Sequence, residues 1–341
     1  MKAPSSGLVY PLAMISSRPL ALLAVVALLI TACSATGGSP SATDRSPEGV
    51  CATSPEPEAG SLEAWSPASQ DPSVFPQIVN PGGTIACGQN RFMFSFLDAS
   101  NVPVASPDRT VNVAFYDLGA DPETATATTD ATFIWAIEGS VGVYVANVDL
   151  PTAGLWGAEF RTTAADTAPE TVRVQFDVQP TSTTISVGDE APASDTPTLA
   201  DVDGDVSSLS TDDEPVEAFY TTSVADALAA NEPFVLVFAT PKFCASAQCG
   251  PTLDRVKPIA AAHPDLTFIN VEPYELTSVD GQLQPVLTGD PAQLTPVAAT
   301  DEWNLAAEPW VFVVDGDGIV TASLMLIFGD QELEDAIAAV G

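Results

Sequence analysis

Apolar and polar positions change their rhythm about halfway along the chain. Between residues 71 and 185 they alternate. In Arg91–Leu97 the side chains of Phe92, Phe94 and Phe96 share one face, and comparable runs occupy Val111–Tyr116, Thr132–Ile137, Gly142–Val148, Trp156–Arg161 and Val172–Val178. Runs with this period of two, broken by Gly, Pro and Asp, predict half-buried strands. Their number and spacing predict an all-β sandwich over residues 71–185.

From residue 186 on, alternation gives way to short solid apolar runs and helical spacing. Ser223 with Asp226 three residues later predicts the start of a helix over Val224–Ala230. Phe234–Phe238 holds five apolar residues in a row, as a strand covered on both faces does. Leu253, Val256 and Ile259 follow at helical spacing, and Leu266–Val271 and Trp310–Val314 read as further buried strands. Asp315-Gly-Asp-Gly318 turns the chain into Ile319–Leu326, and Asp330 caps a last helix through Val340, with Leu333, Ile337 and Val340 on one face. This order predicts a mixed sheet flanked by helices over residues 186–341. Residues 186–222 form its lead-in. Residues 272–307, rich in Pro, Leu and Thr, predict a long insertion with a short helix.

Residues 1–32 read as a leader rather than as fold. Lys2 and Arg18 precede an apolar run, Leu20–Ile30, of eleven residues, short of the ~20 that span a bilayer. Ile30-Thr-Ala-Cys33 resembles a bacterial lipobox; the resemblance implies cleavage before Cys33, lipidation of its thiol and a place on the outer face of the cell membrane. Residues 33–70 are dominated by Ser, Pro, Ala, Thr and Glu and predict a disordered tether.

Ten Lys and Arg face 45 Asp and Glu, for a formal charge of −35. Such a surface excludes nucleic acid as a partner and disfavours adsorption to anionic headgroups, while keeping an exported protein soluble. His263 is the single histidine, at the expected C-terminal end of the helix that begins near Cys249, which excludes a Ser-His-Asp triad or a metallohydrolase site. Asp201-Val-Asp-Gly-Asp205 has its glycine fourth, not sixth as a calcium loop needs, and reads as a turn. No metal site and no cofactor are expected.

Without Cys33, the cysteines are Cys51, Cys87, Cys244 and Cys249. An even number in an exported chain suggests two disulfides; of three connectivities, 244–249 with a structural clip from Cys51 to Cys87 is the simplest. Cys244 and Cys249 lie between a buried strand and a helix, where backbone N–H groups at a helix start stabilise a thiolate. Residues five apart cannot pair within a regular helix, so the loop folds back or Cys244 lies in the turn before the helix.

The stretch Phe234–Pro251, FVLVFATPKFCASAQCGP, resembles the active-site region of the thioredoxin-like superfamily. The resemblance extends to Val187-Gly-Asp-Glu-Ala-Pro192, similar to the opening segment of extracytoplasmic thiol-disulfide reductases and peroxiredoxin-like proteins, and to Glu308-Pro309, where the superfamily places its cis-proline. It implies an α/β thioredoxin-like domain over 186–341 and a membrane-anchored thiol-disulfide oxidoreductase. Cys244 and Cys249 would be the reactive pair, with Pro309 shaping the substrate groove. The implied partners are a protein dithiol or disulfide and a membrane reductant or oxidant. Three departures stand out. Four residues separate the cysteines instead of two, and Thr252 stands where Cys249-Gly-Pro-Thr252 would carry a second cysteine. Phe234–Phe238 also lacks the family's buried Asp. Loop length favours Cys244 as the attacking thiol, with the reverse order left open. A copper-chaperone reading is disfavoured, since no histidine stands in the later loop. A peroxidatic reading, suggested by Thr240 and Pro241, has only Arg255 for its cation, and Lys242 is a further candidate to stabilise a thiolate. The competing reading is a non-catalytic surface lipoprotein, its thioredoxin-like domain a binding scaffold and 244–249 a structural bond. Within 71–185, Leu150–Trp156 is similar to a turn in immunoglobulin-like domains of bacterial surface proteins, which implies a sandwich of that kind.

Overall fold

The computed structural model describes residues 51–340 apart from 68, 69, 81, 82 and 166. The leader, Cys33 and the first part of the expected tether lie outside these residues. The described chain is mostly β-sheet, with few helices.

Its first part is all β. The strands are β1 (Ala52–Thr53), β2 (Val74–Ile78), β3 (Gly88–Asp98), β4 (Thr110–Asp117), β5 (Ala127–Asp130), β6 (Thr132–Ile137), β7 (Val141–Leu150), β8 (Thr152–Thr163) and β9 (Glu170–Val178). One sheet runs β1-β8-β4-β5, with β9 on the other edge of β8, and the second runs β2-β3-β7-β6. The alternating side chains decide how they pack. Phe92, Phe94 and Phe96 of β3 and Tyr144 and Val148 of β7 meet Val113, Phe115, Trp156, Phe160 and Phe176 of the other sheet in one core. The rings meet mainly edge to face or tilted, as Phe94 does with Phe160 at 4.8 Å between centroids.

The segment expected as the end of a tether is packed from Cys51 on, which corrects the reading of 33–70 over this stretch. Cys51 is joined to Cys87 by a disulfide, β1 lies parallel to β8, and Ser54 donates to the buried Asp117 carboxylate. Trp65 is buried against Tyr116 beneath the Arg173 guanidinium, and its Nε1 donates to Pro122 O at 3.3 Å. A Cβ at Gly157 would strike the Trp65 ring, so the glycine there serves close approach. Composition hid this: one Trp in a Ser/Pro-rich stretch is enough when a sheet face waits for it.

The second part comprises α1 (Val224–Ala230), β10 (Phe234–Phe238), α2 (Cys249–Ala262), β11 (Thr267–Val271), β12 (Leu276–Val279), β13 (Gln282–Pro285), β14 (Leu287–Thr288), β15 (Gln293–Leu294), α3 (Ala298–Glu302), β16 (Trp310–Val314), β17 (Val320–Met325) and α4 (Asp330–Ala338). Four strands form a mixed sheet in the order β11-β10-β16-β17, with β10 and β11 parallel and the other pairs antiparallel. The solid apolar run of β10 follows from its central place. Val235 and Val237 pack with Leu253 and Val256 of α2 and Leu333 of α4. Phe234, Leu236 and Phe238 pack on the other face with Val224 of α1 and Ala299 and Trp303 at α3.

Smaller expectations shift at the edges. Ser223 Oγ accepts from Asp226 N at 3.0 Å and caps α1. Gly329, not Asp330, is the N-cap of α4; Glu332 reaches back to accept from its N–H at 3.3 Å, and the helix ends at Ala338. The insertion after β11 holds two small hairpins, β12–β13 and β14–β15, besides the short α3. Among the described residues no helix is long and apolar enough to cross a membrane.

Candidate functional site

Strand register gathers the candidate residues at one edge of the mixed sheet. Phe238, the last residue of β10, pairs with Trp310, the first of β16, and with Val271, the last of β11. The loop leaving β10 therefore emerges beside the residues that enter β16 and those that leave β11. The first carries Cys244, the second Glu308-Pro309 and the third Glu272. The carboxyl ends of the parallel pair β10 and β11 lie at this edge, and ligands of open sheets bind in the crevice beyond such ends.

Cys244 lies in the turn before α2 and Cys249 is the helix's first residue; they form a disulfide with Cα atoms 6.0 Å apart. The turn folds back through Ala247, whose φ of 59° is left-handed. Of the two expected arrangements, the structure has Cys244 outside the helix. Cys249 is fully buried, while Cys244 is half-buried. The Cys249 N–H, at the free N-terminal end of α2, donates to Cys244 Sγ at 3.2 Å. Ser246 Oγ lies 3.3 Å from the same sulfur.

The Glu308–Pro309 peptide bond is cis. It is tied to the cysteine loop at two points: Ala245 N–H donates to Glu308 Oε1 at 2.9 Å, and Ser246 Oγ donates to the Glu308 carbonyl at 2.9 Å. The Glu308 side chain is buried, and one of its carboxylate oxygens lies within 4.8 Å of both cysteine sulfurs. Tyr274 O–H donates to Glu308 Oε2 at 2.6 Å. Burial, that hydrogen bond and the carboxylate's charge together hold the Tyr274 hydroxyl well above its ordinary range. Tyr274 also lines a cavity of about 160 Å³ with Glu272, Asn270 and Tyr220. Burial lifts the Glu272 carboxyl, against the Thr240 and Thr211 hydroxyls and the Thr211 N–H that bind it, and Asp212 adds to the rise. Tyr220, buried and accepting from Asn270 Nδ2 at 2.8 Å, is pushed up to about 12.

Other candidates point elsewhere. Lys242 is half-exposed and pairs with Asp213 at 3.4 Å. Arg255 binds Asp330 at 2.8 Å and the Phe328 carbonyl, so its charge serves α4 rather than the cysteines. His263 caps the far end of α2, 2.7 Å from Glu334. Cys51 and Cys87 belong to the sheet pair, where Cys87 N–H donates to Gln179 O at 3.0 Å. Cys33 lies outside the described residues. The sequence marks Glu308 only as the residue before Pro309, and Tyr274 and Ser246 carry no motif. The available signal was an acid fixed directly before an apolar strand that faces the cysteine strand.

No protein-family model matches the chain, and no curated protein does. Among solved structures it is similar to a DUF4426 family protein from Pseudomonas aeruginosa, at 14% identity, 32% of this chain and 90% of that one covered, and a TM-score of 0.23. It is also similar to MtrC from Shewanella baltica, at 12% identity and a TM-score of 0.22. That match covers 31% of this chain and 22% of MtrC.

Proposed function

We propose that the chain is an extracytoplasmic thiol-disulfide oxidoreductase, anchored by a lipid at Cys33, with an immunoglobulin-like sandwich over 71–185 and a thioredoxin-like catalytic domain over 186–341. The observation that carries the reading is the Cys244–Cys249 disulfide and its setting. Cys244 and Cys249 meet at the start of α2, one sulfur half-buried and the other fully buried, beside the cis peptide of Pro309. The sheet order β11-β10-β16-β17, with α2 joining the two parallel strands, supports the thioredoxin-like assignment. Two matched sheets around a single aromatic core support the immunoglobulin-like one.

In the reducing direction the dithiol form begins. The Cys244 thiolate, favoured by the Cys249 N–H and the helix start, attacks one sulfur of a substrate disulfide. The substrate S–S bond breaks, a mixed disulfide forms, and the leaving thiolate takes a proton. Cys249 then loses its proton and attacks the Cys244 sulfur, releasing the second substrate thiol. The substrate gains two electrons and the pair returns to the disulfide, to be reduced again by a membrane dithiol partner.

Cys249→Ser is expected to trap a mixed disulfide with its substrate, and Cys244→Ser to trap none. Trapping by Cys244→Ser alone would make Cys249-Gly-Pro-Thr252 the working motif. The ties from Ala245 and Ser246 to Glu308 favour a second reading, in which 244–249 is a structural bond in a non-catalytic surface lipoprotein. The reduction potential separates the two. A value below about −300 mV, with no trapping by either variant, would leave the scaffold reading alone.

A further inference from the structure

We propose that, once reduced, Cys244, Cys249 and Glu308 form a three-ligand site for a zinc-class divalent cation, so that metal and disulfide exclude each other. The inference rests on the pair being reducible, as the oxidoreductase reading requires, but not on any turnover. It starts from Glu308. Its carboxylate is buried, and no ion pair with Lys, Arg or His reaches it among the described residues. A buried carboxylate without a positive partner is costly, and a cation answers that cost.

The geometry is near what such an ion needs. Both sulfurs and a Glu308 oxygen lie within 4.8 Å of one another while the disulfide is closed. A tetrahedral ion with Zn–S of ~2.3 Å and Zn–O of ~2.1 Å holds its ligands about 3.6–3.8 Å apart. Opening the disulfide lets the sulfurs part to that separation, and the carboxylate has to close by about 1.2 Å at most. The supporting bonds are in place. Ala245 N–H and Tyr274 O–H each hold one Glu308 oxygen, and each leaves that oxygen a lone pair free to ligate. Thiolates with a carboxylate suit a borderline ion such as zinc, whereas cuprous ion prefers thiolates alone. Binding releases two thiol protons, leaves a site of net charge −1, and keeps a fourth position open to water or a substrate atom.

The test uses the full chain, reduced and desalted without oxygen, and titrated with Co²⁺ and then Zn²⁺. Expected is one equivalent of Co²⁺ with thiolate charge-transfer absorption, displaced by Zn²⁺, and none bound by the oxidised protein. Glu308→Gln is expected to weaken Zn²⁺ at least tenfold and Tyr274→Phe by less, while both cycle their disulfide with dithiothreitol. X-ray absorption of the wild-type zinc form, which needs no variant to fold, is expected to show two sulfur ligands with oxygen completing the shell. No binding by the reduced chain overturns the proposal. So does unchanged affinity in folded Glu308→Gln, a four-sulfur shell shared between two chains, or tight cuprous binding independent of Glu308 without zinc. Metal binding without mixed-disulfide trapping would leave this site standing and the oxidoreductase reading fallen; the reverse result would do the opposite.

Discussion

Two buried acids respond to pH in opposite senses. Burial lifts the folded pKa of Glu272 above its ordinary 4.5. The folded state therefore holds that proton more tightly than the unfolded chain does. The stability so contributed is full below 4.5 and is lost as pH rises through the folded pKa. Glu272→Gln keeps the shape and removes the charge. It is expected to gain stability relative to wild type between about pH 4 and pH 8. Urea midpoints at both values check this, and a constant difference would refute it. At Asp117, burial works upward, but the Ser54 and Thr152 hydroxyls and the Ala120 and Gly119 N–H groups prevail and hold it below 3.8. Its contribution is present above 3.8 and lost as pH falls through the folded pKa. Asp117→Asn is thus expected to lose stability at neutral pH and to flatten the acid limb of the stability curve; an unchanged limb would remove Asp117 from the account. At this scale the sequence was unevenly legible. Cys244, Cys249 and Pro309 stand out because few residue types do what they do. Glu272, Glu308 and Tyr274 come together only through the registers of β10, β11 and β16, which no local spacing announces.

At the scale of elements, what could be read was whatever packs by periodicity. The alternation of β3 and the solid run of β10 named their own environments. The order of segment 51–67 is invisible in the sequence because its anchoring is not periodic: a disulfide, two residues of β1, and the single ring of Trp65. Removing that ring is expected to cost about 3–5 kcal/mol in Trp65→Ala, as for other buried aromatics. The Cys51–Cys87 bond closes a loop of 36 residues, worth roughly 3–4 kcal/mol in chain entropy. Cys51→Ser with Cys87→Ser should lower the denaturant midpoint accordingly. Insensitivity of both variants would mean the segment is carried by the fold without holding it. The hairpins of the insertion leave no sequence signal for a different reason: at two to four residues per strand, β12–β15 are too short for alternation to register.

At the scale of the molecule, the two sheet systems share a small apolar seam, in which Met93, Ile134, Val143 and Val145 of one meet Ile327 of the other. Arg91 fastens that seam. Its guanidinium binds Glu332 of α4 at 2.5 and 2.9 Å and the Ile327 carbonyl at 2.6 Å. Arg91→Ala leaves a carboxylate and a carbonyl without their donor, at a cost of about 1–3 kcal/mol. Calorimetry is expected to show one transition for the wild type and a broadened or split one for the variant; identical single transitions would mean the seam couples nothing. The clip at Cys51 has a mechanical side as well. If the chain hangs from its N-terminal end, every tug arrives at residue 51. With the bond closed, the load passes straight to Cys87 and 36 residues stay out of its path. With the bond cut, β1, Trp65 and β2 still hold that stretch, and only their release would lengthen the path, by about 120–130 Å at ~3.3–3.6 Å per residue. Were the chain held that way, the oxidising state of its surroundings would bear on how far the folded body could be drawn out.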